Sequence, residues 1–132
     1  MSNITSISPT QAYEILDNNA QALLIDTRTS IEHSFLGHPI GSILITIKEP
    51  PTWEIIPGFV DKVKTIAPSA STPLVLMCRS GVRSMAAAKR LEQAGYTALY
   101  NMDEGFEGDK DDDNHRGTLG GWRFHNLPWE QS

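Results

Sequence analysis

The chain is 132 residues long, with a hydrophobic fraction of 39% and a charged fraction of 20%. That balance predicts one soluble, globular domain over residues 1–132 that buries roughly two-thirds of its unfolded surface. No apolar run approaches the roughly 20 residues of a bilayer span, and the basic stripe of a nucleic-acid binder is missing, so neither a membrane nor nucleic acid is expected as a partner.

The net charge of −5 is local. From Asp103 to Asp113 seven acids face only Lys110, which leaves nine acids against ten bases elsewhere. An alternating acidic run of this kind reads as a solvated loop, and Asn114 and Gly120 stand where a calcium loop needs a glycine and a glutamate. The amino end has neither the basic stretch nor the apolar core of a secretory signal, so a cytoplasmic location is expected.

Ser8-Pro9-Thr10-Gln11 predicts a helix start, with a serine cap, proline at the first helical position and glutamine closing a capping box. Ala12, Ile15 and Leu16 then share one face, and Asp17-Asn18-Asn19 ends the helix. Ala22 to Ile25 is a short apolar run that suits a strand covered on both faces, reaching Asp26. Thr27 or Ser30 is placed to cap a short helix through Glu32 and His33. Ser42 to Ile47 is rich in β-branched residues and reads as a further strand. Phe59, Val60, Val63 and Ile66 sit at helical spacing between proline-rich loops. Leu74 to Met77 reads as the central strand, and Ser84 to Ala94 as a helix with Ala87, Leu91 and Ala94 inward, stopped by Gly95. Thr97 to Met102 returns as a strand, and a short helix is expected around Trp122 to His125. Strands alternating with helices predict an α/β fold with a mainly parallel sheet and a site at the strands' carboxyl ends.

The chemistry is concentrated at Cys78-Arg79-Ser80-Gly81-Val82-Arg83-Ser84. A thiol between a buried strand and a helix start sits where backbone N–H groups and the positive end of the helix dipole converge. Two guanidinium groups add positive charge, so the sulfur is expected to be a reactive anion rather than a small buried hydrophobe. Gly81 supplies the positive-φ turn, and Ser84 is a candidate cap whose hydroxyl can also reach the sulfur. As the sole cysteine, Cys78 has neither a disulfide partner nor a resolving thiol in its own chain, so anything formed on it must leave to an external acceptor. His33, His38, His115 and His125 show no metal-ligand spacing; no metal and no cofactor are expected. Trp53 and Trp122 read as packing residues, with the alternative that one of them lines the pocket.

Taken together, Asp26-Thr27-Arg28 with Glu32-His33, Gly37-His38-Pro39-Ile40-Gly41-Ser42, the Cys78 to Ser84 loop and Gly95-Tyr96 resemble the rhodanese, or sulfurtransferase, domain family from about Ile7 to Trp129. The order His38-Pro39-Ile40-Gly41 departs from the family's His-Ile-Pro-Gly. The resemblance implies a five-stranded parallel sheet flanked by helices on both faces. It also implies a Cys78 thiolate that takes the outer sulfur of thiosulfate or a related anionic donor as a persulfide, then yields it to a thiol or cyanide. Arg79 and Arg83 are expected to hold sulfonate oxygens, and the amides of Ser80, Gly81 and Val82 to line the cradle. Asp26, Arg28 and His38 are expected as supports that brace loops. Two other activities fit the same loop. One is a persulfide carrier fed by a protein partner; the other is a rhodanese-related phosphatase or arsenate reductase. Only four residues separate Cys78 from Arg83, where those phosphatases have five, so the smaller ring favours a terminal sulfur.

Overall fold

The computed structural model describes residues 2–132. Its strands are β1 (Ile4–Ile7), β2 (Leu23–Asp26), β3 (His38–Pro39), β4 (Ile43–Leu44), β5 (Leu74–Met77), β6 (Leu99–Met102) and β7 (Trp129–Glu130). The helices are α1 (Pro9–Asn18), α2 (Phe59–Ile66) and α3 (Val82–Gln93), with a π-helical turn at Glu32–Leu36. Five strands form one sheet in the order β1-β6-β5-β2-β4, every pair parallel. β3 and β7 make a separate antiparallel pair.

All four residues of β5 are buried, as a central parallel strand requires. Its side chains alternate between two cores. Leu74 and Leu76 pack with Phe59, Val63, Ala87, Ala88 and Leu91 of α2 and α3. Val75 and Met77 pack with Ala12 of α1 and with Phe106 and Trp122 on the opposite face. Helices therefore cover both sides, and the carboxyl ends of β2, β5 and β6 meet along one edge. In such sheets ligands bind at that edge.

The capping box at Ser8 is complete: the Gln11 amide donates to Ser8 Oγ at 3.2 Å and the Ser8 amide to Gln11 Oε1 at 2.9 Å. Gly95, at φ +104°, follows α3 and ends it.

Four expectations are corrected. β1 reads as no element in the sequence, yet it supplies an edge strand through its pairing with β6. The strand at Ser42–Ile47 narrows to Ile43–Leu44, although Ile45 and Ile47 still donate to the Asp26 and Thr27 carbonyls. The short helix near Glu32 is a π-helical turn capped by Thr29, whose hydroxyl accepts from the Glu32 amide while Glu32 Oε1 accepts from the Thr29 amide and hydroxyl. Thr27 cannot cap it because its hydroxyl donates to the Met77 carbonyl at 2.8 Å. Finally, Trp122–His125 is a run of turns rather than a helix. Gly121 at φ +110° and Asn126 at φ +59° bracket it with left-handed backbone, and Pro128 blocks continuation.

Candidate active site

Cys78 follows β5 directly and is 2% exposed. Its backbone is clamped from the β6 side, where the Phe106 amide donates to the Cys78 carbonyl at 2.9 Å and the Glu107 and Gly108 amides to the Arg79 carbonyl. Two glycines permit this close seating. A Cβ on Gly105 would lie 2.5 Å from the Arg79 backbone, and one on Gly81 would lie 2.6 Å from the Asp103 carbonyl oxygen. Gly81 also sits at φ +107° as the residue preceding α3. Such a conformation costs a side-chain-bearing residue about 1–2 kcal/mol before any clash is counted.

The sulfur is met by two donors. The Gly81 amide approaches Sγ at 3.1 Å and the Ser84 hydroxyl at 3.4 Å. Gly81, rather than Ser84, occupies the cap of α3; Ser84 lies inside the first turn, fully buried. Its hydroxyl also contacts Asn101 Oδ1 at 2.5 Å, and Asn101 Nδ2 donates to the Gly81 carbonyl at 3.2 Å. Because a hydroxyl carries one proton, Ser84 can donate to Asn101 or to the sulfur but not to both. With that proton on Asn101, Ser84 Oγ accepts from a thiol; a sulfur anion draws the proton toward itself. The amides of Val82, Arg83 and Ser84, in the first turn of α3, lack intrahelical acceptors and add their dipoles to the same end.

Of the two loop arginines, only one is uncommitted. Arg83 donates from both terminal nitrogens to Glu32, at 2.7 and 2.8 Å. The hydrogen bond to Glu32 raises the Arg83 pKa above its ordinary value; burial opposes this, and the charges of Glu32, Cys78 and Asp26 add to it. Arg79 is exposed and makes no ion pair among the described residues. A cavity of about 540 Å³ lies against the loop, with Arg79, Arg83, Glu32 and Glu107 as its charged lining and Ile31, Leu36, Pro50 and Trp53 as its apolar wall. Trp53 is 48% exposed, with the Arg83 guanidinium 5.7 Å from its ring centroid. It is therefore a mouth residue, whereas Trp122 is the buried packing residue expected.

Behind the turn that carries Glu32 lies an ion pair at 0% exposure. Arg28 donates to both oxygens of Asp26, at 2.9 and 2.8 Å, and to the Gly37 carbonyl at 2.6 Å. Its guanidinium stacks 4.6 Å from the Phe106 ring centroid. His33 Nδ1 is 2.8 Å from Asp26, and the His33 ring stacks on His38 at 3.7 Å. His38 Nδ1 donates to the His33 carbonyl at 2.7 Å. Asp26, Arg28 and His38 thus tie together the two loops flanking the π-helical turn; none of them contacts Sγ.

These contacts set an acid limit on stability. Burial pushes the Asp26 carboxyl up, but hydrogen bonds from His33 and Arg28, with the Arg28 charge, outweigh it and hold the group below its ordinary range. Burial likewise raises Glu32, and the Arg83 hydrogen bond with those from Thr29 overcomes it. A carboxyl depressed in the folded state contributes stability that is complete above the unfolded pKa of about 4 and is lost as pH falls through the folded one. The urea midpoint is therefore expected to be level near neutrality down to about pH 5 and to drop steeply below about pH 4. A midpoint unchanged on that acid limb would contradict the assignment.

Sequence reasoning does not find Glu32 as the Arg83 partner, Asn101 as the Ser84 partner, or Glu107 as a cavity residue, and it does not decide that Trp53 rather than Trp122 lines the cavity. The only signal is that each stands beside a strand end or a recognisable loop, and tertiary pairing across 51 residues, as for Glu32 and Arg83, leaves no local trace.

A parallel α/β sheet that presents a lone cysteine in a glycine-bearing loop at a helix start defines a cysteine-loop α/β protein with an anion-stabilising end. A family model described as Rhodanese-like domain matches residues 8–112, and the chain belongs to that family. It is 31% identical over 133 residues to an uncharacterized protein of Rickettsia conorii, covering 97% of this chain and 98% of that one. It is 31% identical over 104 residues to the thiosulfate sulfurtransferase GlpE of Actinobacillus pleuropneumoniae, covering 79% and 84%. The crystal structure of Rv0390 from M. tuberculosis superposes with a TM-score of 0.84 at 34% identity, covering 97% and 98%.

Proposed function

We propose that this protein is a sulfurtransferase that carries a sulfane sulfur as a persulfide on Cys78. The observation that carries this reading is the placement of Sγ under the Gly81 amide at 3.1 Å, in a loop with four residues between Cys78 and Arg83 and almost no exposed sulfur surface. Such a sulfur is reached by a slender terminal atom more readily than by a tetrahedral phosphate. In the proposed cycle the Cys78 thiolate attacks the outer sulfur of an anionic donor. With thiosulfate, the donor's S–S bond breaks and sulfite leaves with its electron pair. An external thiolate or cyanide then attacks the outer sulfur of the persulfide and returns the pair to Sγ. Gly81 N–H, the Ser84 hydroxyl and the α3 amides stabilise both anionic states without a general acid, while Asp26, Arg28 and His38 act as positioning residues.

The test is the intact mass of the protein after incubation with thiosulfate, and separately with inorganic polysulfide. One added sulfur that a reductant removes is the expected result. Rapid turnover of a phosphate monoester, with no sulfur ever retained, would establish the phosphatase reading instead.

A carrier role is favoured by one observation: Ile31 and Phe35, each 75% exposed, project from the turn that holds Glu32. Comparing steady-state transfer from thiosulfate to cyanide with loading from a persulfidated protein separates the two roles.

A further inference from the structure

Asn101 is 3% exposed and stands on β6, its backbone in register with Ser6 of β1 on one side and Leu76 of β5 on the other. Its side chain is anchored as well. Asn101 Nδ2 donates to the Gly81 carbonyl at 3.2 Å, which aims Oδ1 at Ser84; the opposite orientation would set two acceptor oxygens face to face. An amide oxygen can only accept. The proton in the 2.5 Å contact between Ser84 Oγ and Asn101 Oδ1 therefore belongs to Ser84, and the 3.4 Å approach of the same hydroxyl to Sγ is the weaker claim on it.

The two protonation states of Cys78 consequently fare differently. As a thiol, its S–H donates to a lone pair of Ser84, and the chain from Sγ through Ser84 to Asn101 is satisfied throughout. As a thiolate, Sγ either faces that lone pair or takes the Ser84 proton and leaves Asn101 Oδ1 buried without a donor. A buried acceptor stripped of its partner is costly. The Gly81 amide and the first turn of α3 pull the opposite way, toward the anion. The charges around the loop are Arg83 held by Glu32, the Asp26–Arg28 pair, the exposed Arg79, and Asp103, whose carbonyl packs on Gly81. Asn101 carries no charge, so the route from it to the sulfur is the Ser84 proton.

We propose that Asn101 is a positioning residue that holds back the ionisation of Cys78 by keeping the Ser84 proton engaged, and that the thiolate forms as Ser84 turns from Asn101 to Sγ. This rests on the reading of Cys78 as the reacting sulfur. Ionisation releases the thiol proton to solvent and rotates one hydroxyl; no bond between heavy atoms changes. An idle sulfur is thereby shielded from oxidation, which follows thiolate character.

The test is the ultraviolet absorbance of the Cys78 thiolate in the full-length protein, followed from about pH 5 to about pH 10 with Cys78→Ser as the blank. Asn101→Leu resembles the amide in shape and frees the Ser84 proton, and should lower the pH midpoint by about one unit, the scale of one buried hydrogen bond. Asn101→Asp, whose carboxylate oxygens only accept, should raise it. With Ser84→Ala as the background, Asn101→Leu should move the midpoint by less than about 0.3 units, because its route to the sulfur is gone. A merely structural role changes the melting temperature and not this coupling. A midpoint unmoved by Asn101→Leu, one moved equally in the Ser84→Ala background, or a parent sulfur already fully ionised at about pH 5 overturns the proposal and leaves sulfur transfer intact. Should Asn101→Leu fail to fold in a thermal melt, a midpoint that Asn101→Asp does not raise overturns it equally. Failure of the parent protein to take up sulfur from inorganic polysulfide overturns the underlying reading and leaves the midpoints standing.

Discussion

Cys78→Ser is expected to take up no sulfur from thiosulfate or polysulfide and to lower transfer by on the order of 10³-fold or more, the scale of losing a nucleophile with no substitute nearby. No other cysteine exists to take its place. The fold should tolerate the change. A serine oxygen can accept from the Gly81 amide and the Ser84 hydroxyl as the sulfur does, and the volume lost is small, so stability should move by about 1 kcal/mol at most. Intact mass and a thermal melt on the same preparation check both halves. Persistent loading in the serine variant would remove Cys78 from the mechanism.

The second large effect is structural. Arg28→Ala leaves the Asp26 carboxylate buried with only His33 and the backbone amide of residue 28, at 3.0 Å, beside it, removes its one full positive partner and strips the Gly37 carbonyl of its donor. Breaking one side of a buried pair costs about 3–5 kcal/mol, a large share of the roughly 5–15 kcal/mol that holds a domain together. Replacing both members, as in Asp26→Asn with Arg28→Met, should recover more than half of that loss, because no uncompensated charge remains. Urea denaturation of the single and double variants measures this. If the double variant is as unstable as the single one, the cost lies in lost packing against Phe106 and not in charge.

The parts of this molecule that the sequence makes legible are those decided by neighbours along the chain. Leu74–Met77 followed by Cys78 and Gly81 announces a buried strand, a sharp turn and a helix start; Ser8 to Gln11 announces a capped helix. Both stand in the structure at those residues. What stays hidden is decided across space. β1, with Ile4 and Ile7 around Thr5 and Ser6, lacks the alternation of a half-buried strand and becomes one only by pairing with β6. The β3–β7 pair joins His38 to Glu130, too far apart in the chain to leave a signature. Within the site, the cysteine loop is readable, but which arginine stays available is not. That depends on Glu32, whose own orientation is set by Thr29 and the π-helical turn. Asp26 and Arg28 show the intermediate case: they read as loop supports, while their mutual pairing and complete burial, with Phe106 stacked on the guanidinium from beyond β6, are decided across space.

The seating of Gly105 against the carbonyls of Cys78 and Arg79 makes the reactive turn a passenger of the chain that leaves β6, with no slack between the two backbones. Mild heating or low denaturant that loosens residues beyond Met102 should therefore silence the sulfur while the parallel sheet is still standing, so that inactivation runs ahead of melting.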